Sequence, residues 1–449
     1  MLKLLLVIGS GALSTFLFKL AAGGLGVRSF NIVNITYYMY FILVYIGASA
    51  IYLGFASDYY LVNKLSQSAI DNGYYMIALA GVILPFFAWL AGQLTSRSKN
   101  LNVQYQSFMD CRPFIDLSER KVRTVVIFLM VICFLCTLYT FISIGSVPFL
   151  EVLMGGSEEA VSMRAQAKIG FGGLIQIRNL GMLQLAPLIA FLCLICYRTM
   201  TPSKWKWLFY FSVVWACIAL TYNLEKAPIV FFAFELLVLE LLLGKKFSSK
   251  QIFRVGIALV ILLLLMYFFI AGESALVFSF TAGPIGRAIL AYPAAFMLHV
   301  QCFPDILPFL GGAGLPDFIE QAIGAYSGMG RSAVAVMTVF NTQKSTVGLA
   351  YAMNSFFPAE AYANWSIPGY FFSLLWVGCL MGIIHTFFIT HEKKLSSILI
   401  YILILRFQVQ VLLGGFIDYL YSINLIFLIA VVICVKLICF SSKKHNTSG

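Results

Sequence analysis

The chain carries little charge and few of the residues that make a soluble surface. Of its 449 residues only 11% are charged, with 18 acids against 30 lysines and arginines, and four are histidine. No stretch is polar and long enough to form a separate water-soluble domain, so residues 1–449 read as one integral membrane domain. The short patterns that hold nucleotides and metals are also missing. The sequence contains no Walker loop, no dinucleotide fingerprint, no His-Glu-x-x-His and no Asp-x-Asp pair. We therefore expect no cofactor and no metal. Cys133/Cys136 and Cys193/Cys196 have Cys-x-x-Cys spacing, but they lie inside apolar runs with no histidine near them in sequence, so they read as helix-packing residues. Cys302 stands alone in a large loop, which argues against a disulfide framework there.

Apolar residues dominate. The chain is 61% hydrophobic with a mean hydropathy of +0.93, the signature of a polytopic helical membrane protein. The apolar runs give about eleven spans (ten to twelve) of the necessary length of roughly 20 residues. They lie near 2–20, 35–56, 74–94, 122–142, 179–197, 207–224, 227–243, 252–272, 366–389, 397–414 and 417–438. The first resembles a signal peptide, but its length and Lys19 make it a first span.

The basic residues set the orientation. With the N-terminus outside, the loops 95–121, 198–206, 244–251 and 390–396 and the C-terminal tail face the cytoplasm and carry 15 of the 30 lysines and arginines, the pattern of the positive-inside rule. The formal charge of +12 then reads as anchoring against an anionic leaflet, and no nucleic-acid partner is expected. Two large extracytoplasmic loops remain, 143–178 and 273–365. The second is too polar and broken to be a span and too apolar to be an ordinary loop, so it reads as partly re-entrant or interfacial.

These loops hold the candidate chemistry. Arg164 and Arg178 lie in the first, Arg287, His299 and Arg331 in the second. Arginine presents a planar fork of donors suited to phosphate oxygens and stays charged at any relevant pH. Arg287 and Arg331 follow glycine-containing segments, and neither has an acidic residue beside it in sequence. Arg406 is different, because it lies midway along an apolar span where an unpaired cation is costly. Glu235, at similar depth in another span, is its expected partner. At the end of the second loop Glu360, Tyr362 and Asn364 fall at i, i+2 and i+4, which in extended backbone places all three on one polar face.

The segment Glu360-x-Tyr362-x-Asn364-Trp365-x-x-x-Gly369, followed by a glycine-containing apolar span, resembles a signature of the oligosaccharide repeat-unit polymerases, the O-antigen polymerases of the Wzy type. The family has Asn-Phe-Gly where this chain has Asn364-Trp365-Ser366, so the match fails at the glycine. Asn223-Leu-Glu-Lys226-Ala-Pro228, entering the 227–243 span, is similar to a basic-Gly-Pro entry in those proteins. The layout of spans and two outer loops resembles the membrane-embedded glycosyltransferase C-type architecture.

The resemblance implies a metal-independent glycosyltransferase of the bacterial inner membrane, working at its periplasmic face. Its substrate is an undecaprenyl-pyrophosphate-linked oligosaccharide, and the growing chain is passed to a new lipid-linked unit. A chain-length regulator and a flippase are the implied partners. In this reading Arg331 and Arg287, then Arg164, Arg178 and Arg406, stabilise the pyrophosphate. Glu360, or else His299, serves as base. Tyr292, Tyr362 and Asn364 hold sugar. The rivals are an O-antigen ligase, a flippase, which should show paired halves that the sequence lacks, and a metal-dependent transferase, for which only Asp58 and Asp71 are available in an early outer loop.

Overall fold

In the computed structural model, residues 1–26, 30–96, 101–145, 171–271, 279, 283–325, 330–341 and 352–440 are described. Among them the protein is helical, with isolated bridges at Phe114/Lys394 and Leu117/Phe440 and no strand. Seven helical segments are long and apolar enough to cross a membrane: Leu2–Ala22, Ile32–Tyr52, Gln67–Thr95, Glu119–Ile144, Ile177–Thr199, Pro358–Thr390 and Ile417–Cys439. This is a helical membrane protein. Each of the seven contains most of one expected span. The other four expected spans also fall on helices: Pro202–Thr221, Ala227–Leu242, Ser249–Ala271 and the shorter apolar Leu395–Val411.

Local sequence explains where helices begin and end. The Asn31 side chain accepts from the Asn34 amide at 2.8 Å and Ser66 Oγ from the Ala69 amide at 3.2 Å, each meeting an orphan donor at a helix start. Pro202, Pro228 and Pro284 occupy first-turn positions, where a missing N–H costs nothing. Gly23 ends the first helix in the left-handed region.

The chain divides into two compact units. The first comprises Met1–Tyr105, Leu264–Thr390 and Phe407–Ser422. Its core is the Gln67–Thr95 helix, against which Leu2–Ala22, Pro284–Cys302 and Pro358–Thr390 all pack. Small residues make the closest approach possible: a Cβ on Gly378 would stand 2.7 Å from the Leu84 carbonyl, and one on Gly382 would collide with the Ala88 carbonyl. Such backbone-to-backbone contact is how helices associate in lipid, where apolar side chains gain nothing by leaving their solvent. The second unit comprises Gln106–Leu263, His391–Arg406 and Ile423–Gly449. Its central strut is Leu185–Thr199, buried without interruption from Leu185 to Cys196 and flanked by Glu119–Ile144 and Pro202–Thr221. Large apolar side chains such as Phe128, Phe134, Trp207 and Phe211 are exposed on these flanks, as suits a surface solvated by lipid. The Cys-x-x-Cys pairs lie within two of these helices as free thiols.

Candidate functional site

The Pro358–Thr390 helix is two pieces. Its backbone breaks at Trp365 (φ −134°, ψ 23°) and Ser366 (φ 59°, ψ −152°), leaving a short piece, Pro358–Asn364, ahead of the long one. The extended backbone expected for Glu360, Tyr362 and Asn364 is thus corrected to helix. Pro358 at its start and the alternating alanines 359, 361 and 363 favour that form. On a helix, Glu360 and Asn364 share a face while Tyr362 points away.

The break releases carbonyls that a glycine-rich loop takes up. Leu310 and Gly311 amides donate to the Ala363 and Asn364 carbonyls, each at 3.0 Å, and the Gly312 amide donates to the Asn364 side-chain oxygen at 2.7 Å. The Asn364 side-chain NH₂ donates to the Glu360 carbonyl at 3.0 Å, and Tyr362 OH donates to the Phe303 carbonyl at 3.0 Å. Both side chains are buried and committed to backbone. Two of the three residues expected to hold sugar therefore shape the 303–315 loop. Tyr292 is half-buried, and its carbonyl accepts from Ser355 Oγ at 3.3 Å.

Beside this loop stands a three-member charge cluster. Arg331 Nε and Nη2 donate to Glu360 Oε1 and Oε2, each at 2.8 Å, a fork-to-fork pair. The third guanidinium nitrogen, Nη1, is 3.0 Å from Asp418 Oδ2. The Ile417 amide donates to Glu360 Oε2 at 2.8 Å. Gly415 lies so close that a Cβ there would collide with Glu360 Oε2 and stand 2.5 Å from Arg331 Nη2. Glu360 is 4% exposed, whereas the Arg331 and Asp418 side chains are each 34% exposed. Burial disfavours the Arg331 cation, but the carboxylates of Glu360 and Asp418 outweigh it and raise its pKa.

The sequence offered no acidic neighbour for Arg331, and here the fold corrects that expectation. Two carboxylates converge from segments 29 and 87 residues away (360 − 331 and 418 − 331), giving the cluster a formal charge of −1. Arg331 is thus more than neutralised, and two of its five N–H groups remain uncommitted within the cluster. It is a shared donor between carboxylates before it is an anion clamp.

The other candidates stand as follows. Arg287 is exposed in the first turn of Pro284–Cys302. His299, on the same helix, is 1% exposed with Nδ1 2.7 Å from the Ala295 carbonyl. Burial pushes its pKa down to about 4 against the opposing pull of that carbonyl and of Glu360, so it is neutral. Arg178, in the second unit, is buried, with Nε 3.1 Å from Asn179 Oδ1 and its guanidinium 4.7 Å over the Phe171 ring. Arg406, also in the second unit, donates to Glu235 Oε2 at 2.7 Å, the partner expected from span depth. Arg164 lies outside the described residues.

Sequence reasoning missed Asp418 and the Gly311–Gly314 loop. The signal for Asp418 was an isolated acid at the head of the last apolar run, directly after Gly414-Gly415. In an alternating count of spans, that turn falls on the same side as the 273–365 loop. No protein-family model, curated protein or solved structure matches this chain.

Proposed function

We propose that this protein is a membrane-embedded glycosyltransferase that polymerises oligosaccharide repeat units carried on undecaprenyl pyrophosphate. In this reading it crosses the bacterial inner membrane about eleven times and works on the periplasmic side without metal or nucleotide. One observation carries the reading: the half-exposed Arg331–Asp418 pair, backed by buried Glu360 and bordered by the Gly311–Gly314 loop. A carboxylate and guanidinium N–H groups open on one side of a glycine-rich wall suit hydroxyl-rich sugar, to which they offer acceptors and donors together.

A second observation supports the family likeness where the sequence departed from it. Ser366 stands where the polymerase signature has glycine, and its φ of 59° with ψ of −152° is a conformation that glycine alone adopts readily. A glycine at position 366 would take this backbone without strain, which is what the likeness asks of that position.

The experiment is reconstitution. Purified protein in detergent is given lipid-pyrophosphate-linked repeat units extracted from the parent cells, with excess chelator and no nucleotide. A ladder of products evenly spaced by one repeat is the expected result. Transfer only to an added lipid A core assigns a ligase, and movement of lipid-linked units across proteoliposomes without new glycosidic bonds assigns a flippase. Activity lost to chelator and restored by magnesium or manganese assigns a metal-dependent transferase.

A further inference from the structure

A polymerase of this kind needs a group to take the proton of the attacking hydroxyl, and the cluster contains two carboxylates that could do so. Their surroundings separate them. Glu360 Oε1 accepts from Arg331 Nε, and Oε2 accepts from both Arg331 Nη2 and the Ile417 amide. Its side chain is 4% exposed, and the Gly415 backbone is pressed against it with no room for even a methyl group. A sugar hydroxyl has no approach to either oxygen. Asp418 uses only Oδ2, toward Arg331 Nη1, and its side chain is 34% exposed. Its Oδ1 makes no hydrogen bond to the described residues, so it is the uncommitted carboxylate oxygen of the cluster, on a side chain that is partly open.

The arrangement also explains why the two acids differ. Glu360 holds the arginine from behind through the fork, and the arginine holds Asp418 from the side through one nitrogen. The single contact at Oδ2 engages one oxygen of the carboxylate and leaves the opposite one without a partner among the described residues. The turn Gly414-Gly415-Phe416 brings Asp418 to this position, with the Ile417 amide tying it to Glu360. The Phe416 ring meets Trp365 edge-on at 6.1 Å, so the same turn is fastened to the break in the Pro358–Thr390 helix. The groups facing Asp418 are Arg331, Glu360 and the neighbouring Tyr419, whose hydroxyl is committed to Gln408 Oε1 at 3.1 Å.

We propose that Asp418, not Glu360 or His299, is the general base that accepts the proton of the incoming sugar hydroxyl. This rests on the polymerase reading. The acceptor hydroxyl oxygen forms a bond to the anomeric carbon of the donor chain while that carbon's bond to the pyrophosphate oxygen breaks. The bonding pair leaves with the lipid pyrophosphate, and the hydroxyl proton passes to Asp418 Oδ1. A charge-separated, oxocarbenium-like transition state makes the hydroxyl acidic only as the new bond forms, so a weak base is sufficient. Glu360 is a positioning residue that acts through Arg331. His299 is buried with its Nδ1 side facing a backbone carbonyl.

Asp418→Asn is the decisive variant because it preserves shape and an acceptor oxygen for Arg331 Nη1 while removing the basic oxygen. In parent cells lacking the gene and supplied with this variant, the polysaccharide ladder should collapse to single repeats. With the purified protein and extracted lipid-linked units the rate should fall about 10²–10⁴-fold. Membrane accumulation and melting temperature should match the parent protein. Asp418→Asn polymerising at the parent rate overturns the assignment. If that variant fails to accumulate, Asp418→Ala is assayed with and without formate: partial recovery of rate supports the base, and a folded protein that formate cannot rescue overturns it. Failure of the polymerase reading looks different. In that case deleting the whole gene leaves the ladder intact, whereas failure of the base alone leaves a ladder that depends on the gene but not on Asp418.

Discussion

Arg331 and Arg406 are each held by a buried glutamate, yet the two pairs are built for different ends. Arg331 is 34% exposed, meets Glu360 through two parallel hydrogen bonds and shares its remaining nitrogen with a second carboxylate. Arg406 and Glu235 are 3% and 2% exposed and meet through a single nitrogen. Among the described residues Glu235 Oε1 and Arg406 Nε have no partner at all. The first pair has every buried atom satisfied and an open edge. The second is sealed and leaves hydrogen-bonding capacity unused. A buried pair that neutralises itself fixes the second unit's helices in register. The triad has one more acid than base, and two of its three members are 34% exposed, so it keeps polar groups open to its surroundings. Charge in an apolar chain is therefore no guide to function until its exposure and its partners are known.

The largest effect is expected at the sealed pair. Glu235→Ala leaves the Arg406 cation alone in the apolar interior, and breaking such a pair costs about 3–5 kcal/mol. The variant should accumulate poorly and melt well below the parent protein in detergent. Replacing both residues by leucine removes the charges together and should restore accumulation and stability to the parent level or above. If Glu235→Ala is stable while the double leucine variant is not, the pair has a role beyond register and the comparison fails. No such rescue is expected for Arg331 with Glu360 and Asp418, whose joint replacement by leucine should leave folded protein without polymerising activity.

How much of this was legible in the sequence depends on distance along the chain. The long apolar runs announce helices because length and hydropathy are local, and the whole 366–389 span lies inside Pro358–Thr390. Arg331 and Glu360 stood out because charge is rare here. Their pairing did not, since it needs the Gly414–Ile417 turn to close the cluster from a third segment. The period-two spacing of Tyr362 and Asn364 places them on one face with Glu360 only where the backbone is extended. The alanines between them, good helix formers, were the overlooked clue. The Arg406–Glu235 pair was readable because burial of charge in lipid leaves few alternatives.

Another buried cation, Lys393, sharpens the comparison, for no ion pair to a carboxylate is seen at its head group among the described residues. Lys393, outside the spanning helices, donates from Nζ to the carbonyls of Phe108 and Cys111 at 3.0 Å and Met109 at 3.3 Å, closing the end of the Leu101–Asp110 helix. Burial pulls its pKa down to about 8 from 10.5, with Cys111 and Asp110 opposing. Between those values the unfolded chain binds the extra proton, so folding stability should rise with pH from about 8 to about 10.5, the penalty being complete below that window. The gain is on the order of 2 kcal/mol. It is measured as the melting temperature of the parent protein relative to Lys393→Met, which lacks the titration. A difference that is flat across the window refutes the burial argument.

The smallest expected effect concerns the backbone that sets the two glutamates apart. Glu235 sits within the unbroken Ala227–Leu242 helix, whereas Glu360 rides on a short piece set off by Trp365 and Ser366. A serine at φ 59° and ψ −152° is strained by about 1–3 kcal/mol, and glycine adopts that shape freely. Glycine also gives the unfolded chain more freedom, which offsets part of the relief at about 0.5–1 kcal/mol. Ser366→Gly should therefore raise the melting temperature slightly or leave it unchanged, with the ladder intact. Ser366→Val should lower both stability and polymer length, because a β-branched residue tolerates this conformation worst. If glycine destabilises and valine does not, the chain does not break at Ser366 as described, and Glu360 continues the same straight helix geometry that Glu235 has. The contrast between a working cluster and a structural pair would then have to rest on exposure alone.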